Sequence, residues 1–177
     1  MLECVVAVGE GNGIGVQGGL PWYIPNDLKR FRLLTETHVV IMGFTTFSSL
    51  GFRPLPRRTN IVLTNKPFEE TKKYLEENIY FMNFDKCINF IKNTRRRIFV
   101  IGGEKVYRLF EHYITIIHMT EVFHKKEIPF DTHFFNLSSF RINDVSETFT
   151  QNEYTYRYLN LIKEYKRNSL QKDANTR

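Results

Sequence analysis

The sequence predicts an α/β fold of three layers: a mostly parallel eight-stranded sheet with an antiparallel C-terminal edge, and helices on both faces. Two observations carry this prediction. Over the first two-thirds of the chain, short apolar runs alternate with helical candidates, which is the pattern of right-handed βαβ crossovers. The last third is β-prone and has no helical candidates between its runs, which favours antiparallel pairing.

The first apolar run, residues 2–8, is typical of a short buried strand. Pro25 then opens a helix predicted over residues 27–35, because proline is favoured at the first helical position. One apolar side of that helix is predicted to carry Leu28, Phe31 and Leu34. Further strands are predicted at 38–43, 59–64, 97–101, 114–122, 140–149 and 154–162, and further helices at 45–50, 69–77, 85–92 and 104–110.

The 177 residues are enough for one domain with a sizeable core, which we expect to span residues 1–165. Residues 166–177 are expected to form a basic, flexible tail. Hydrophobic residues make up 42% of the chain and charged residues 25%, which is typical of globular proteins and excludes a wholly disordered one. The net charge is +6 and part of that surplus lies in the tail, so charge is a weak argument for a nucleic-acid partner.

Three further classes of protein find no support in the sequence. No apolar run approaches the roughly 18 residues of a membrane span, and the N-terminus lacks the basic segment of a secretory signal. Cys4 and Cys87 show no Cys-x-x-Cys spacing, and the five histidines show no metal-ligand spacing. We therefore expect a cytoplasmic protein with no membrane partner and no metal site.

Residues 13–18 match the dinucleotide fingerprint G-x-G-x-x-G and follow a predicted strand. That fingerprint binds a pyrophosphate only when its last glycine opens a helix, whereas Leu20, Pro21 and Trp22 follow here. We interpret the glycine-rich segment as a mobile flap over a pocket, because glycines permit close backbone approach and large dihedral changes.

Asp27 is the candidate acid of the chain. Its simplest interpretation is a carboxylate in the first turn of a helix, where the helix dipole favours it. It also lies four residues before Phe31 on the same helical side, so the carboxyl is expected to point into an apolar wall. A partly desolvated carboxyl is a candidate for a raised pKa and for binding a cationic, amidine-like ligand edge.

A second candidate site lies where a predicted strand ends in Gly102 and Gly103 and passes directly into a helix. Backbone amides at such a junction can bind phosphate, and paired glycines let a cofactor approach the backbone; a simple tight turn is the alternative. Gly43, followed by Thr45 and Thr46, forms a second junction of the same design.

A series of residues in order along positions 2–162 fits one known family. They are Ala7, Ile14-Gly15, Leu20-Pro21-Trp22, Asp27-Leu28, Phe31, Thr35, Val40-Ile41-Met42-Gly43, Thr46, Ser49, Arg53-Pro54-Leu55-Pro56, Arg58, Ile61-Val62-Leu63, Val100-Ile101-Gly102-Gly103, Val106-Tyr107, Thr120 and Asp131-Thr132-His133-Phe134. Together they resemble dihydrofolate reductase. The resemblance implies reduction of 7,8-dihydrofolate with NADPH, inhibition by antifolates such as methotrexate, and a monomeric enzyme.

The resemblance also implies roles for individual residues. Asp27 matches the acid that holds the pteridine and supports protonation at N5, Thr120 the residue that hydrogen-bonds this acid, and Trp22 the one that positions water beside it. Substrate would be bound by Val5, Leu28, Phe31, Leu50, Leu55, Arg58, Ile101 and Tyr107. NADPH would be bound by Ala7, Ile14, Gly15, Leu20, Gly43, Thr45, Thr46, Thr64, Asn65, Lys66, Gly102, Gly103, Glu104, Lys105, Val106 and Tyr107.

Several positions depart from the family pattern, and two other functions stay open. Phe52 matches a one-residue insertion, Glu104 replaces a glycine, and Arg57 beside Arg58 leaves open which arginine would bind the substrate. Phe44 stands where the family usually carries an arginine or lysine, which leaves the strength of the preference for NADPH over NADH open. The alternatives are a related pyrimidine reductase of riboflavin synthesis and a catalytically idle folate- or RNA-binding protein. Arg58 and the Asp27–Thr120 pair argue against the first alternative, and the presence of Asp27 argues against the second.

Overall fold

The computed structural model describes residues 1–165, so the predicted tail at 166–177 lies outside the described residues. The strands are β1 Leu2–Val8, β2 Gly13–Gly15, β3 Val39–Gly43, β4 Thr59–Leu63, β5 Ile79–Met82, β6 Ile98–Gly102, β7 Ile114–Phe123, β8 Thr132–His133, β9 Phe140–Gln151 and β10 Tyr154–Lys163. The helices are α1 Pro25–Thr35, α2 Phe44–Ser49, α3 Phe68–Thr71, α4 Phe84–Asn93 and α5 Glu104–Phe110.

Eight strands form the main sheet in the order β5-β4-β3-β6-β1-β7-β10-β9. The pairs from β5 to β7 are parallel, and β10 pairs antiparallel with both β7 and β9. The predicted fold class is confirmed. None of the helices within residues 1–165 has the length and apolar character needed to cross a membrane.

The residues of β3 show how the sheet lies between two layers of helices. Successive strand residues point to opposite faces of a sheet. Val39 and Ile41 belong to a buried cluster that includes side chains of α4 and α5, whereas Val40 and Met42 belong to a second cluster with side chains of α1 and α2. The continuous apolar run of β3 is therefore buried on both faces, as expected for a central parallel strand.

The prediction of a helix at 69–77 is wrong after its first turn. Helix α3 ends at Thr71, and a short 3-10 turn follows it. Tyr74 stacks on Phe52 with ring centroids 4.6 Å apart, and Asn78, with φ of 67°, turns the chain into β5. Strand β5 is missing from the strands predicted along the sequence, because aromatic packing and sheet pairing override the local helical preference.

The interpretation of the glycine-rich segment as a mobile flap is wrong for its Gly13–Gly15 part. Gly13 and Gly15 belong to β2, which is buried and pairs with β8. A Cβ on Gly13 would lie 2.1 Å from the Phe130 ring, and one on Gly15 would lie 2.6 Å from Oγ1 of Thr132. These glycines therefore permit close packing rather than a mobile flap. The exposed stretch is residues 17–20, which contains a turn at Gln17 and Gly18, and residues 18–20 line the cavity described below.

Candidate active site

A cavity of about 680 Å³ lies at the carboxyl ends of the parallel strands. Ala7, Gly43 and Gly102 lie at or near the ends of β1, β3 and β6, and all three line it. Asp27 of α1 lies on its wall as well. The crevice beyond the carboxyl ends of such strands is where ligands bind in open α/β sheets, and this volume is that of a small-molecule or cofactor site.

Most of the predicted site residues line this one cavity. They are Val5, Ala7, Ile14, Gly15, Leu20, Asp27, Leu28, Phe31, Gly43, Thr45, Thr46, Leu50, Leu55, Thr64, Asn65, Ile101, Gly102, Gly103, Glu104, Lys105, Val106 and Tyr107. Residues expected to bind two different molecules therefore share one continuous space. That arrangement would let a substrate ring and a cofactor ring meet.

Asp27 is held in the first turn of α1, and its carboxyl meets β7. The hydroxyl of Thr120 donates a hydrogen bond to Oδ1 of Asp27 at 2.5 Å. Burial raises the pKa of Asp27 above its ordinary value, while the Thr120 hydrogen bond and the charge of Arg30 oppose that rise. With Phe31 on the same wall, this carboxyl can hold either a proton or a cationic ligand edge.

Two strand-to-helix junctions also line the cavity, and they approach each other closely at their glycines. A Cβ on Gly43, before α2, would lie 3.0 Å from Cγ2 of Val106. A Cβ on Gly103, before α5, would lie 3.4 Å from Oγ1 of Thr46, and Gly102 has a φ of 115°. Side chains at these positions would narrow the space between the junctions, so glycine keeps a backbone-lined cradle open. Such a cradle fits a phosphate-bearing cofactor.

A family model for dihydrofolate reductase matches residues 1–165. The chain belongs to the dihydrofolate reductase family. Membership confirms the predicted enzyme.

Curated relatives and a solved structure agree with this family. The dihydrofolate reductase of Bacillus subtilis is 35% identical over 164 residues, which cover 90% of this chain and 92% of that protein. A bifunctional dihydrofolate reductase-thymidylate synthase of Paramecium tetraurelia is 31% identical over 162 residues; these cover 89% of this chain but 34% of that protein. A dihydrofolate reductase from Enterococcus faecalis, complexed with NADP(H) and RAB-propyl, is 27% identical with a TM-score of 0.80, covering 92% of this chain and 96% of that one.

Two residues with roles implied by the dihydrofolate reductase resemblance lie behind the cavity wall. Thr120 touches the cavity only through Asp27. Trp22 is 6% exposed and packs edge-on against Phe130, with ring centroids 6.0 Å apart. Its Nε1 is buried and has no hydrogen-bond partner among residues 1–165. A buried indole N–H of this kind needs an acceptor, which a bound water can supply.

Arg58 and Lys66 also lie outside the cavity wall. Arg58 is buried; its Nε donates to Oγ1 of Thr35 at 2.9 Å, and its guanidinium lies 5.7 Å from the ring centroid of Phe31. Lys66 forms an ion pair with Glu70 at 2.7 Å. Neither side chain lines the cavity. A ligand in the cavity must therefore extend beyond the lining residues to contact Arg58 or Lys66.

Some residues that line the cavity were not predicted as site residues. They are Val6, Gly18, Gly19, Phe44, Ser49, Leu63, Phe84, Leu109 and Thr132. Several of them had a usable signal. Phe44, Ser49 and Thr132 stand at positions compared with the family pattern, and Leu63 directly precedes Thr64. Leu109 follows Lys105 by four residues on α5, which places Lys105 and Leu109 on one helical face. Phe84 had none, because it follows the unpredicted β5.

Proposed function

We propose that this chain reduces 7,8-dihydrofolate to 5,6,7,8-tetrahydrofolate with NADPH. The observation that carries the proposal is the partly buried Asp27, hydrogen-bonded by Thr120 and facing a cavity that also contains two glycine junctions. An acid beside a flat apolar wall suits the pteridine, and the backbone cradle suits a dinucleotide. Membership of the family supports the same assignment.

Asp27 holds the amidine-like edge of the pteridine and supports protonation at N5. Its raised pKa keeps a proton available at higher pH than an exposed aspartate would. Thr120 orients the carboxyl by donating to Oδ1. Trp22 directs its buried Nε1–H toward a water beside the acid, which accounts for an indole donor without a protein partner.

The remaining substrate residues form the wall and the far end of the site. Val5, Leu28, Phe31, Leu50 and Leu55 pack against the pteridine and benzoyl rings, as their position on the cavity wall allows. Ile101 and Tyr107 complete this wall, and the Tyr107 hydroxyl is fixed by donating to the carbonyl of Val5 at 2.9 Å. Arg58 binds the glutamate tail through a guanidinium whose orientation is set by its bond to Thr35.

Cofactor residues divide into three groups. Ala7, Ile14, Gly15 and Leu20 border the nicotinamide; Gly43, Thr45, Thr46, Gly102, Gly103, Glu104, Lys105, Val106 and Tyr107 cradle the phosphates; and Thr64, Asn65 and Lys66 hold the adenosine end. When bound, NADPH supplies a hydride from C4 of the nicotinamide to C6 of the pteridine. The protein orients the two rings and excludes water around them.

A turnover assay tests the proposal. The full chain is mixed with dihydrofolate and NADPH, and loss of the near-ultraviolet absorbance of the reduced nicotinamide is followed. We expect turnover with NADPH and use NADH in parallel to measure cofactor preference. Tight binding of dihydrofolate without turnover would instead indicate a catalytically idle binding protein. A monomeric state, antifolate binding and a cytoplasmic location stay predictions.

A further inference from the structure

Arg30 lies behind Asp27 on α1, away from the cavity wall. It follows Asp27 by three residues, so both side chains lie on neighbouring parts of one helical face. Its guanidinium carbon is 4.4 Å from the ring centroid of Tyr158, and its Nη2 donates to Oδ1 of Asn160 at 3.5 Å. Both partners belong to β10, so the sheet fixes the position of this charge beneath the helix.

The polar contacts continue from Arg30 into the sheet. Oδ1 of Asn160 lies 3.0 Å from Nδ1 of His118, and Nε2 of His118 lies 2.6 Å from Oε2 of Glu3. Arg97 donates to both carboxylate oxygens of Glu3, at 2.8 and 2.7 Å. Burial disfavours the ionised form of Glu3, but the hydrogen bonds from His118 and Arg97 outweigh it and lower its pKa to about 2. The far end of the chain of contacts is therefore a fixed carboxylate.

The positive charge of Arg30 has no carboxylate of its own. Among residues 1–165, no Asp or Glu oxygen lies within 4.0 Å of its nitrogens. Burial lowers the pKa of Arg30, whereas the charge of Asp27 opposes this shift. A half-buried cation acts on its surroundings through a medium of lower dielectric than water. Its nearest acidic neighbour along α1 is Asp27, three residues earlier.

We propose that Arg30 is a positioning residue for the reaction: its cation, held by Tyr158 and Asn160, stabilises the ionised form of Asp27 without touching the substrate. This inference rests on the proposed function of Asp27. Other groups that face Arg30 are Tyr158 and, through Asn160, His118 and Glu3. Burial raises the pKa of Tyr158 to about 12, so this phenol stays neutral over the range of an activity assay.

The pH dependence of kcat/KM tests the proposal. Activity that needs the Asp27 proton falls at high pH, as that proton is lost. Arg30→Met removes the cation, so the Asp27 carboxyl should keep its proton to higher pH, and the high-pH limb of the profile should move to higher pH. Arg30→Lys keeps the charge and should leave the limb close to that of the unaltered chain. Lys29→Met, which removes an exposed cation at the preceding position, should not move this limb.

Two further variants separate charge from structure. Arg30→Gln keeps a donor toward Asn160 without the charge and should shift the limb as Arg30→Met does, which also covers the case in which the methionine variant fails to fold. His118→Gln should leave the limb in place. A limb that disappears in His118→Gln, or that stays fixed in Arg30→Gln, overturns the proposal. Failure of the unaltered chain to turn over would overturn the proposed function itself, which is a different result.

Discussion

At the scale of single residues, opposing forces act on the Asp27 carboxyl. Burial favours the neutral acid, while the hydroxyl of Thr120 and the cation of Arg30 favour the carboxylate. A group held between its two states can carry a proton and can also pair with a cationic ring edge.

Asp27→Asn removes this balance. An amide can still hydrogen-bond the pteridine edge but cannot support protonation, so turnover at neutral pH should fall by about 10²–10⁴-fold. Part of the loss should be recovered in acid, where the substrate arrives already protonated. Steady-state kcat across a pH series measures both effects.

Glu121→Gln is the matched control for Asp27→Asn. Glu121 follows Thr120 on β7, and its side chain pairs with Arg157 at 2.6 Å. Adjacent strand residues point to opposite faces, so this acid lies away from Asp27. Its variant should keep normal turnover, and unchanged turnover in Asp27→Asn at neutral pH would contradict the role given to Asp27.

At the scale of elements, α2 begins with the aromatic residue Phe44. Phe44 lines the cavity and packs against Phe47, Phe52 and Tyr74, with ring centroids 6.0 to 6.2 Å apart. The aromatic cluster therefore occupies the first turn of α2 with apolar surface. NADPH and NADH differ only by a phosphate on the adenosine ribose, so the charge near this turn should influence the choice between them.

Phe44→Arg should tighten NADPH by about tenfold and change NADH much less, because a charge-assisted hydrogen bond to phosphate contributes roughly 1.5 kcal/mol. Fluorescence titration with both cofactors gives the two dissociation constants. Ser48→Arg adds the same charge at an exposed position of α2 outside the cavity and serves as the control. Equal tightening of both cofactors by Phe44→Arg would mean that the extra phosphate is held elsewhere.

Elements differed in how far the sequence could define them. Strands β1, β3 and β6 were predictable, since long buried runs of β-branched and aliphatic residues have few alternatives. Strand β5 was not, because a four-residue edge strand that begins after the turn at Asn78 has too little periodicity to separate it from a helix. The two strand-to-helix junctions were predictable from Gly43 and from the adjacent pair Gly102 and Gly103. The position of Arg58 behind Phe31 was not, since it depends on packing between distant elements.

At the scale of the whole molecule, Glu3 joins β1, β7 and the start of β6 through one buried carboxylate. Its side chain is 3% exposed and is bound by His118 and Arg97. The pKa of Glu3 is lowered from 4.5 to about 2. A depressed carboxyl pKa contributes stability that is present above about pH 4.5 and is lost as the pH falls toward about 2.

Glu3→Gln should therefore destabilise the fold at neutral pH, by about 2 kcal/mol once the half-exposed Arg97 is allowed for. The difference from the unaltered chain should shrink as the pH falls through the window from about 4.5 to about 2. Urea unfolding at a series of pH values measures it. Glu147→Gln, at an exposed position on β9, is the control, and a destabilisation that does not vary with pH would contradict the linkage.

A chain that ends at Tyr165 tests both the domain boundary and the RNA-binding alternative. The sheet, the cavity and the family match all fall within residues 1–165, so this chain should keep its turnover, and its Tm should stay within about 2 °C of that of the full chain.

Within the described residues, two neighbouring arginines have protein partners: Arg96 donates to Thr59 at 2.9 Å and Arg97 binds Glu3. Any salt-dependent retention of RNA should therefore depend on the basic residues after 165 and be lost on their removal, because such binding follows the number of phosphate contacts. Retention that persists in the shortened chain would favour a nucleic-acid surface on the folded domain.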